Sequence, residues 1–481
     1  MRVRILAATA AVVALSATGL TLPLTASAAD ATTPRFDFNG DGYADIAVGM
    51  PDATVDGKAK AGYISVIYGG AESPYQSTGV ISQAEAGIPG TPEAGDRFGS
   101  SLAPVDVNGD GVFELVVGAS GESLTSDQLK DEGTITVLES LQWHPKGTTV
   151  ARGTSEYSSI GRTIATGDYD GDGDTDLAFG ENGEEHGALR FRPGPLTAAP
   201  VTPTTLRRYS MGGATRALAT GDFDGDGRDD LAATWRGTED SSTFITRWDD
   251  QSGPAQWYAD ADRGSALAAA DFDQDGTDDL AVGLVQPNPE SENTHCENRL
   301  GGAVLVLKGS KGSKSANFGA EYECITQSSP EVGGAAEEGD DFGAALSAGD
   351  LNGDSRPELV VGVPGEDVGT VRDAGGYVTM NGTEQGLYGG LARSQSTPNM
   401  PGTAEAGDRF GAQLAVGDYN RDGLWDTAVS APGENAGELR SGGVWFAPSS
   451  TQETYPLGKA LTPYGFALPY GAIKYGEVLG L

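Results

Sequence analysis

Histidine and cysteine are scarce in this chain, which has three histidines and two cysteines among its 481 residues. Zinc sites draw on these two side chains, and serine or cysteine nucleophiles need a base such as histidine beside them. No G-x-S-x-G motif, P-loop or dinucleotide-binding glycine motif accompanies His144, His186 and His295, which we expect to lie in exposed loops. The scarcity gives no support to zinc chemistry or nucleophilic catalysis, while catalysis by carboxylates alone stays open.

Basic residues are also few: 31 lysines and arginines stand against 69 aspartates and glutamates, a formal net charge of −38. Nucleic acids and anionic membranes both bind basic surfaces, so an acidic chain of this kind predicts neither as a partner. The charge has a second interpretation, in which many of the carboxylates are metal ligands rather than free surface groups.

Apolar runs long enough to span a bilayer are missing after the first 30 residues. Those first residues contain Arg2 and Arg4, an apolar run and small residues at 26–28 in an A-x-A pattern. The arrangement predicts a cleaved signal peptide at residues 1–28 and a mature protein that is secreted, extracellular and without a membrane span. An uncleaved N-terminal anchor is the alternative, which the polar residues and proline in the run disfavour.

The two cysteines are Cys296 and Cys324, and a lone pair in an exported protein is expected to form a disulfide bond. Closing a loop of this length stabilises a fold by about 3 to 4 kcal/mol through the entropy of the unfolded chain. The spacing matches no C-x-x-C pattern, so a metal or redox role has no support.

What the chain does contain is a nine-residue acidic motif in seven copies. Positions 1, 3, 5 and 9 carry Asp, Asn or Glu, and position 6 is glycine in six of the seven. Successive copies start roughly 50 to 80 residues apart, a spacing typical of one supersecondary unit per copy. In chain order they are DFNGDGYAD from Asp37, DVNGDGVFE from Asp106, DYDGDGDTD from Asp168, DFDGDGRDD from Asp222, DFDQDGTDD from Asp271, DLNGDSRPE from Asp350 and DYNRDGLWD from Asp418.

A second pattern surrounds the motif. An aromatic or aliphatic residue followed by glycine precedes several copies, as at Phe98-Gly99 and Phe410-Gly411. A short apolar run follows each copy, then a variable loop and an alternating segment such as GYISVIYGG, with almost no helical periodicity. Four short antiparallel strands in each of seven units predict an all-β fold, a seven-bladed β-propeller that forms one domain over residues 29–481. A string of independent β-domains is the alternative, but each unit is too small to bury its own sheet faces.

The two ends of the chain predict how the ring closes. The first acidic motif begins at Asp37, which leaves no room after the signal peptide for the strand that should precede it. Tyr475-Gly476 stands where other units have their Phe-Gly pair. We therefore expect residues 475–481 to supply the missing first strand of blade one.

The acidic motif has the chemistry of a calcium loop. Ca²⁺ takes about six to eight oxygen ligands, whereas Mg²⁺ keeps several waters in octahedral geometry and zinc prefers His or Cys. Alternate side chains in a tight turn can converge on one ion, position 7 adds its backbone carbonyl, and glycine at position 6 allows a left-handed bend. An EF-hand is excluded because a strand follows position 9 at once. An ion-free Asp/Gly-rich turn is the alternative for any single copy.

The predicted cofactor is structural Ca²⁺ at up to seven sites. The sixth copy departs from the pattern, with Ser355 at the glycine position and Pro357 close by, so we expect it to be the weakest. The predicted ligands, loop by loop and with the position 7 carbonyl donor included, are Asp37, Asn39, Asp41, Tyr43 and Asp45; Asp106, Asn108, Asp110, Val112 and Glu114; Asp168, Asp170, Asp172, Asp174 and Asp176; Asp222, Asp224, Asp226, Arg228 and Asp230; Asp271, Asp273, Asp275, Thr277 and Asp279; Asp350, Asn352, Asp354, Arg356 and Glu358; Asp418, Asn420, Asp422, Leu424 and Asp426.

Segments such as RFGSSLAPVDVNGDGVFELVVGAS and RFGAQLAVGDYNRDGLWDTAVSAPGE resemble FG-GAP repeats, the units of the seven-bladed propeller at the N-terminus of integrin α subunits and of many secreted bacterial proteins. The resemblance covers nearly all of the mature chain, although units three to five keep the acidic loop and blur the rest of the pattern. It implies a propeller with Ca²⁺ in hairpin loops. It also implies that ligands bind on the face away from those loops.

Long loops indicate where a partner would bind. The acidic motifs lie between first and second strands, so the long second-to-third connections should lie on the other face of the propeller. Because variable loops on a rigid scaffold often bind partners, we expect a monomeric extracellular recognition or adhesion module whose partner is an unknown extracellular protein or glycan. The alternative is an extracellular hydrolase or lyase that acts on polysaccharide, which needs two free carboxylates in a cleft. Aromatic residues clustered on the loop face would favour sugar binding.

Overall fold

The structure is a computed structural model that describes residues 36–70, 76–77, 79–124, 131–183, 187–197, 200–209, 213–236, 241–249, 253–259, 264–285, 296, 299–312, 321–435, 441–450, 456–468 and 474–480. Within these ranges the secondary structure is strand and turn, without a helix. Among the described residues there is accordingly no apolar helix of membrane-spanning length. The signal peptide at residues 1–28 lies outside the described residues and stays a prediction.

The described strands form seven sheets of four, the blades of a β-propeller, which confirms the predicted fold. In blade order the strands are, for blade one, β1 Ile46–Met50, β2 Tyr63–Tyr68, β3 Gln76–Ser77 and the C-terminal β28 Val478–Leu479; for blade two, β4 Phe98–Val105, β5 Glu114–Ala119, β6 Thr134–Glu139 and β7 Lys146–Arg152; for blade three, β8 Ile164–Gly167, β9 Asp176–Glu181, β10 Ala188–Arg192 and β11 Thr204–Arg208; for blade four, β12 Ala214–Gly221, β13 Asp230–Arg236, β14 Ser241–Asp249 and β15 Gly253–Ala259; for blade five, β16 Ala266–Ala270, β17 Asp279–Leu284, β18 Ala303–Leu307 and β19 Tyr322–Ile325; for blade six, β20 Leu346–Gly349, β21 Glu358–Val363, β22 Gly376–Thr383 and β23 Gly386–Arg393; for blade seven, β24 Leu414–Gly417, β25 Asp426–Ala431, β26 Gly443–Ala447 and β27 Lys459–Leu461.

The C-terminal strand closes the ring, as the sequence predicts. In blade one the strand order is β28, β1, β2, β3, whereas the other blades use four consecutive strands. The backbone N–H of Tyr475 donates to the Ser441 carbonyl of blade seven at 2.7 Å. Phe410 makes the same bond to Ala374 of blade six at 3.0 Å. Tyr475-Gly476 therefore occupies the position of a Phe-Gly pair in its own blade.

Among the described residues, seven hydrophobic clusters hold the ring together, one between each pair of neighbouring blades. The cluster that joins blades seven and one contains Ile46 and Tyr63 of blade one, Phe446 of blade seven, and Tyr475 and Leu479 of the C-terminal segment. Burial of each large apolar side chain contributes about 1.5 to 3 kcal/mol, and here it requires both blades. The clusters favour one ring over a string of independent domains.

Glycine contacts between blades explain why the Phe-Gly pairs and the apolar runs recur together. The second strand of a blade is buried on both faces between its neighbours, and its sequence is apolar after the acid at position 9. A Cβ added to Gly362 in β21 would lie 2.2 Å from the Gly411 carbonyl oxygen of the next blade, and one added to Gly283 in β17 would lie 1.9 Å from that of Gly343. Gly411 also has φ of 90°. The glycine of a second strand and the glycine of the next blade's Phe-Gly pair are thus in direct close contact.

The first strands of all seven blades line a central channel of about 850 Å³. Because strands alternate in direction, first-to-second and third-to-fourth connections leave each blade on one face, here called the metal-loop face. Second-to-third and fourth-to-first connections leave on the other, here called the opposite face. Asp271 and Asp350, which begin two acidic motifs, line the channel at the metal-loop face.

The predicted disulfide bond is present in blade five. It joins Cys296 to Cys324, 28 residues apart in the chain, with 5.6 Å between the two Cα atoms. Cys324 lies in the outer strand β19, and Cys296 lies in the connection between β17 and β18. The bond therefore ties an opposite-face connection to the outer edge of its blade.

Candidate functional site

All seven acidic motifs form the same compact loop at the metal-loop face. The carboxylate at position 1 accepts the backbone N–H of position 6 in every copy, at 2.7 to 3.1 Å. The carboxylate at position 5 accepts the N–H of position 7 in every copy, at 2.8 to 3.0 Å. The acids therefore shape the turn as well as giving it charge.

Position 6 has the left-handed backbone that the sequence predicts, with φ between 83° and 88° at its six glycines. Ser355 adopts the same conformation in the sixth loop, at φ of 71°. Position 4 is also left-handed in every copy, with φ between 57° and 79°, and this was not predicted. Its signal was present in the sequence, since all copies but two have glycine there, the exceptions being Gln274 and Arg421.

The acid at position 9 is buried in every loop, with 0 to 7% of its surface exposed. Burial is the main cause that raises the pKa of each of these carboxyl groups, and nearby acids of the same loop raise it further. The pKa rises to about 7 or about 8 in six loops and well above its ordinary range in the first, the seven residues being Asp45, Glu114, Asp176, Asp230, Asp279, Glu358 and Asp426. A cation bound in the loop would favour the charged form of these groups.

The arrangement of oxygen atoms fits a hard divalent cation. In the seventh loop, Oδ2 of Asp426 is buried and has no hydrogen-bond partner. Neither histidine nor cysteine occurs in any of the acidic motifs. Such an all-oxygen donor set is the one that Ca²⁺ prefers. In three loops, carboxylate oxygens lie within 4.8 Å of one another, from Asp168, Asp170 and Asp176; Asp222, Asp224 and Asp230; and Asp271, Asp273 and Asp275.

Each predicted ligand set lies within one compact loop, and in three loops three of its carboxylates lie close together. The other four loops have asparagine at position 3, which replaces a carboxylate with an amide. Coordination by the side chains at positions 1, 3, 5 and 9 and by the position 7 carbonyl stays a prediction in all seven loops.

Neighbouring loops are also hydrogen-bonded to one another. At five of the seven junctions, the N–H at position 8 of one loop donates to the position 1 carbonyl of the preceding loop, at 2.8 to 3.3 Å. Trp425 and Asp350 form one such bond at 3.0 Å. Between loops five and six the donor position is Pro357, which has no N–H, and the Gln274 side chain donates to the Ser355 carbonyl instead at 2.7 Å. Neighbouring loops at these junctions are therefore joined directly as well as through their strands.

The long loops lie at the opposite face, as their place between second and third strands requires. Residues 125–130, 286–295 and 436–440 of these loops lie outside the described residues. In the described part, Asp52 is 3.6 Å from both Lys60 and Arg97, and Arg409 is 3.2 Å from Asp341. The three basic side chains keep 42 to 52% of their surface exposed. This face therefore presents accessible positive charge on an acidic protein.

A glutamine and a glutamate join blades at three seams of the opposite face, a contact that was not predicted. The glutamine amide donates to the glutamate carboxylate 39 residues later, and the pairs are Gln83 with Glu122, Gln327 with Glu366, and Gln395 with Glu434. Beside them, Asp96, Asp340 and Asp408 each accept the backbone N–H of the residue three positions earlier, at 2.5 to 2.6 Å. The signal in the sequence that could have predicted this contact was the 39-residue spacing of Gln and Glu, which is repeated three times.

Exposed aromatic residues do not gather on the opposite face within the described ranges. Tyr157 and Tyr464 belong to fourth-to-first connections at seams that are not adjacent. Trp143 and Tyr322 lie in or beside third-to-fourth connections, on the metal-loop side, and Tyr388 lies in the outer strand β23. The described residues thus lack the aromatic cluster that would favour sugar binding.

Comparison with known proteins agrees with this architecture. Residues 31–67, 98–138 and 342–379 match the FG-GAP repeat, and residues 168–233 match the FG-GAP-like repeat. The phosphatidylinositol-glycan-specific phospholipase D of Bos taurus is 33% identical over 150 residues, or 30% of this chain and 17% of that protein. Integrin alpha-PS5 of Drosophila melanogaster is 32% identical over 143 residues, or 29% of this chain and 13% of that protein.

These matches span a small part of either relative. A crystal structure of an ACO/RPE65 chimera is similar over 91% of both chains, but a TM-score of 0.46 at 11% identity is too low to carry an argument. The matched repeats, the similarity to integrin α subunits and the seven four-stranded blades agree with one another. The chain therefore contains FG-GAP repeats and folds as a seven-bladed propeller, and part of its sequence is similar to an integrin α subunit.

Proposed function

We propose that this protein is a secreted, calcium-binding β-propeller that acts as an extracellular recognition or adhesion module. Calcium would occupy the acidic loops of the metal-loop face and would stabilise the ring. The partner would bind the connections of the opposite face. The disulfide bond supports an oxidising, extracellular setting for the mature chain.

The observation that carries this proposal is the contrast between the two faces. The metal-loop face repeats one loop seven times, and the acids at positions 1 and 5 of each copy are hydrogen-bonded within their own turn. The opposite face carries connections that differ in length and sequence from blade to blade. Repetition suits a structural role, whereas variation on a rigid scaffold suits selection of a partner.

Calcium is the favoured cation for the loops on chemical grounds. The donors are carboxylates, amides and carbonyls, and position 9 places a buried carboxylate that a cation would compensate. Extracellular modules commonly bind Ca²⁺ with dissociation constants of about 10⁻⁴ to 10⁻³ M, which suits the millimolar calcium found outside cells.

The chemistry of the opposite face favours a protein as partner. Lys60, Arg97 and Arg409 are exposed there among acidic groups, and such charge guides association with a complementary surface. The aromatic platform that sugars stack on is missing from the described part of this face. A glycan partner remains an outcome of the test.

Hydrolysis or elimination on polysaccharide is the second candidate, and one observation favours it. Glu366 lines a cavity of about 180 Å³ at the opposite face, and burial raises its pKa to about 7, a value that suits a general acid. However, Glu366 accepts a hydrogen bond from Gln327, and the cavity is smaller than the roughly 300 to 1,000 Å³ typical of ligand sites. Asp96, whose pKa is also raised to about 7, is only 1% exposed. These carboxylates are better suited to joining blades.

An array of extracellular proteins and glycans tests the proposal. The mature protein is applied in calcium, and the double variant R97Q/R409Q removes two charges of the opposite face. K146Q removes an exposed charge from the outer strand β7 and serves as the control. We expect the double variant to weaken binding at least about tenfold and the control to leave it unchanged. Binding that survives the double variant, or turnover of a polysaccharide, would contradict the proposal.

A further inference from the structure

The residue at position 3 divides the seven acidic loops into two groups. Four loops have asparagine there, and in three of these the amide donates to the buried acid at position 9, from Asn108 to Glu114 at 3.1 Å, from Asn352 to Glu358 at 2.7 Å and from Asn420 to Asp426 at 3.4 Å. Loops three, four and five have aspartate at position 3, and an aspartate has no proton to donate when ionised. These three loops each hold four carboxylates, and a cation is needed to compensate their negative charge.

Strand register supplies that charge in two of the three loops. Each position 9 acid lies opposite a residue at the end of the third strand. Leu231 pairs with Thr246 in blade four, and Leu280 pairs with Leu307 in blade five. One step further along these strands, Asp230 lies opposite Arg247 and Asp279 lies opposite Lys308. The facing residue is basic only in these blades. In blade order the residues are Tyr68, Glu139, Pro193, Arg247, Lys308, Asn381 and Pro448.

Both basic side chains contact the position 3 carboxylate of their own loop. Arg247 Nη1 lies 2.6 Å from Asp224 Oδ2, and the two side chains are 11% and 2% exposed. Lys308 Nζ lies 2.7 Å from Asp273 Oδ2 and 3.5 Å from Asp279 Oδ2, so it bridges positions 3 and 9. The ammonium group in blade five therefore stands where the asparagine amide stands in other loops.

We propose that Arg247 and Lys308 are built-in cations that hold loops four and five folded without a metal ion. Loops one, two, three, six and seven have no such group opposite position 9 and depend on calcium. Loop three has a fourth carboxylate, Asp170, and Pro193 at the facing position, and the buried Arg192 beside Pro193 interacts electrostatically with Asp176. The contrast with the other loops rests on the proposed calcium assignment.

Hydrogen exchange read by mass spectrometry on the intact protein separates the two groups of loops. Peptides that cover residues 222–230 and 271–279 should change by less than about twofold when EDTA replaces calcium. Peptides that cover residues 37–45, 168–176 and 418–426 should exchange at least about tenfold faster in EDTA. Equal acceleration in all seven loops would overturn the proposal.

Two single variants test the pairing directly in EDTA. K308M should accelerate exchange of residues 271–279 at least about tenfold, and R247M should do the same for residues 222–230, because each leaves buried carboxylates without their partner. The matched control is K311M, since Lys311 Nζ contacts the Asp275 carbonyl at 2.7 Å and no carboxylate of the loop. The control should change exchange of residues 271–279 by less than about twofold.

Charge-conserving variants keep the test informative if a methionine variant does not fold. K308R and R247K should retain slow exchange in EDTA, since the cation is kept. Methionine variants that exchange like the wild type in EDTA would overturn the role of the two cations. If no loop of the wild type responds to EDTA, the calcium assignment is wrong, and the comparison of K308M with K311M still decides the role of Lys308.

Discussion

The seam between two blades has two ends, and different chemistry holds each. At the metal-loop end, neighbouring loops share backbone hydrogen bonds, and each loop buries an acid at position 9. At the opposite end, glycines of neighbouring blades are in close contact, as Gly362 and Gly411 are. Three seams add a glutamine amide bonded to a glutamate. Ionisable groups therefore lie at the metal-loop end of every seam, whereas the opposite end depends on steric fit and has buried carboxylates at three seams.

This difference predicts which end of a seam responds to pH and to calcium. Buried carboxylates respond to protons and cations, so the metal-loop end is expected to tighten in calcium and to loosen in a chelator near neutral pH. Contacts between glycines depend on volume and are indifferent to both. At the seams without a glutamine–glutamate pair, the opposite end should therefore keep its packing over the same range.

The largest expected effect comes from pH acting on the metal-loop end in EDTA. Folding raises the pKa of the position 9 acids from about 4 to about 7 or 8. Between these pH values the folded chain therefore binds more protons than the unfolded chain. The stability this contributes is fully present below about pH 4 and is lost as pH rises through about 7 to 8. We expect the melting temperature in EDTA to fall between about pH 5 and pH 8, and saturating calcium to remove most of the fall. Calorimetry that shows a rise in EDTA over this range would contradict the account.

Removal of residues 475–481 opens the ring at both ends of one seam. Tyr475 and Leu479 are both buried in the cluster between blades seven and one, and their loss should cost about 3 to 6 kcal/mol. We expect a much lower melting temperature even in calcium. K474A, which changes an exposed side chain next to the removed segment, is the control. An unchanged melting temperature after truncation would show that closure does not stabilise the ring.

The variant G362A tests the steric end of the seam. Its Cβ would lie 2.2 Å from the Gly411 carbonyl oxygen, and overpacking of this kind costs about 1 to 3 kcal/mol. The matched control is G70A, because nothing lies within 4 Å of a Cβ added at Gly70. Chemical denaturation should show the loss for G362A alone, and by the same amount in calcium and in EDTA. A loss that appears only in EDTA would mean that the two ends are not independent.

The smallest effect is expected from S355G in loop six. Ser355 has φ of 71°, a conformation that costs a residue with a side chain about 1 to 2 kcal/mol and costs glycine nothing. We expect S355G to stabilise the protein by about 1 kcal/mol, less than the full cost because glycine has more freedom when unfolded. The reciprocal variant G423S in loop seven should destabilise by a similar amount. If both changes act in the same direction, backbone strain at position 6 is not the cause.

Sequence reasoning predicts the repeated features of this protein well. The seven acidic motifs, the four-stranded blades, the closing role of Tyr475-Gly476 and the bond between Cys296 and Cys324 are all local patterns or follow from counting units. Ser355 departs from the sequence pattern, yet it adopts the left-handed conformation of the six glycines at its position.

Features that depend on strand register were not predicted. Lys308 lies 29 residues after Asp279, and only the pairing of β17 with β18 brings the two together. The bond between Gln327 and Glu366 crosses a seam between blades and depends on the packing of both. Because the connections between strands vary in length, motif spacing alone does not predict such pairs. Contacts across strands and blades therefore required the structure.

Calcium stoichiometry at equilibrium is the most direct test of the claim that the acidic motifs are calcium loops. Metal analysis after dialysis of the mature protein at about 1 mM free calcium gives the number of ions, and calorimetry of the same sample gives the melting temperature. We predict about five ions per chain, in the loops other than four and five and with loop six the weakest of these, and a melting temperature well above that in EDTA. Fewer than about three ions, or binding that leaves the melting temperature unchanged, would contradict the account.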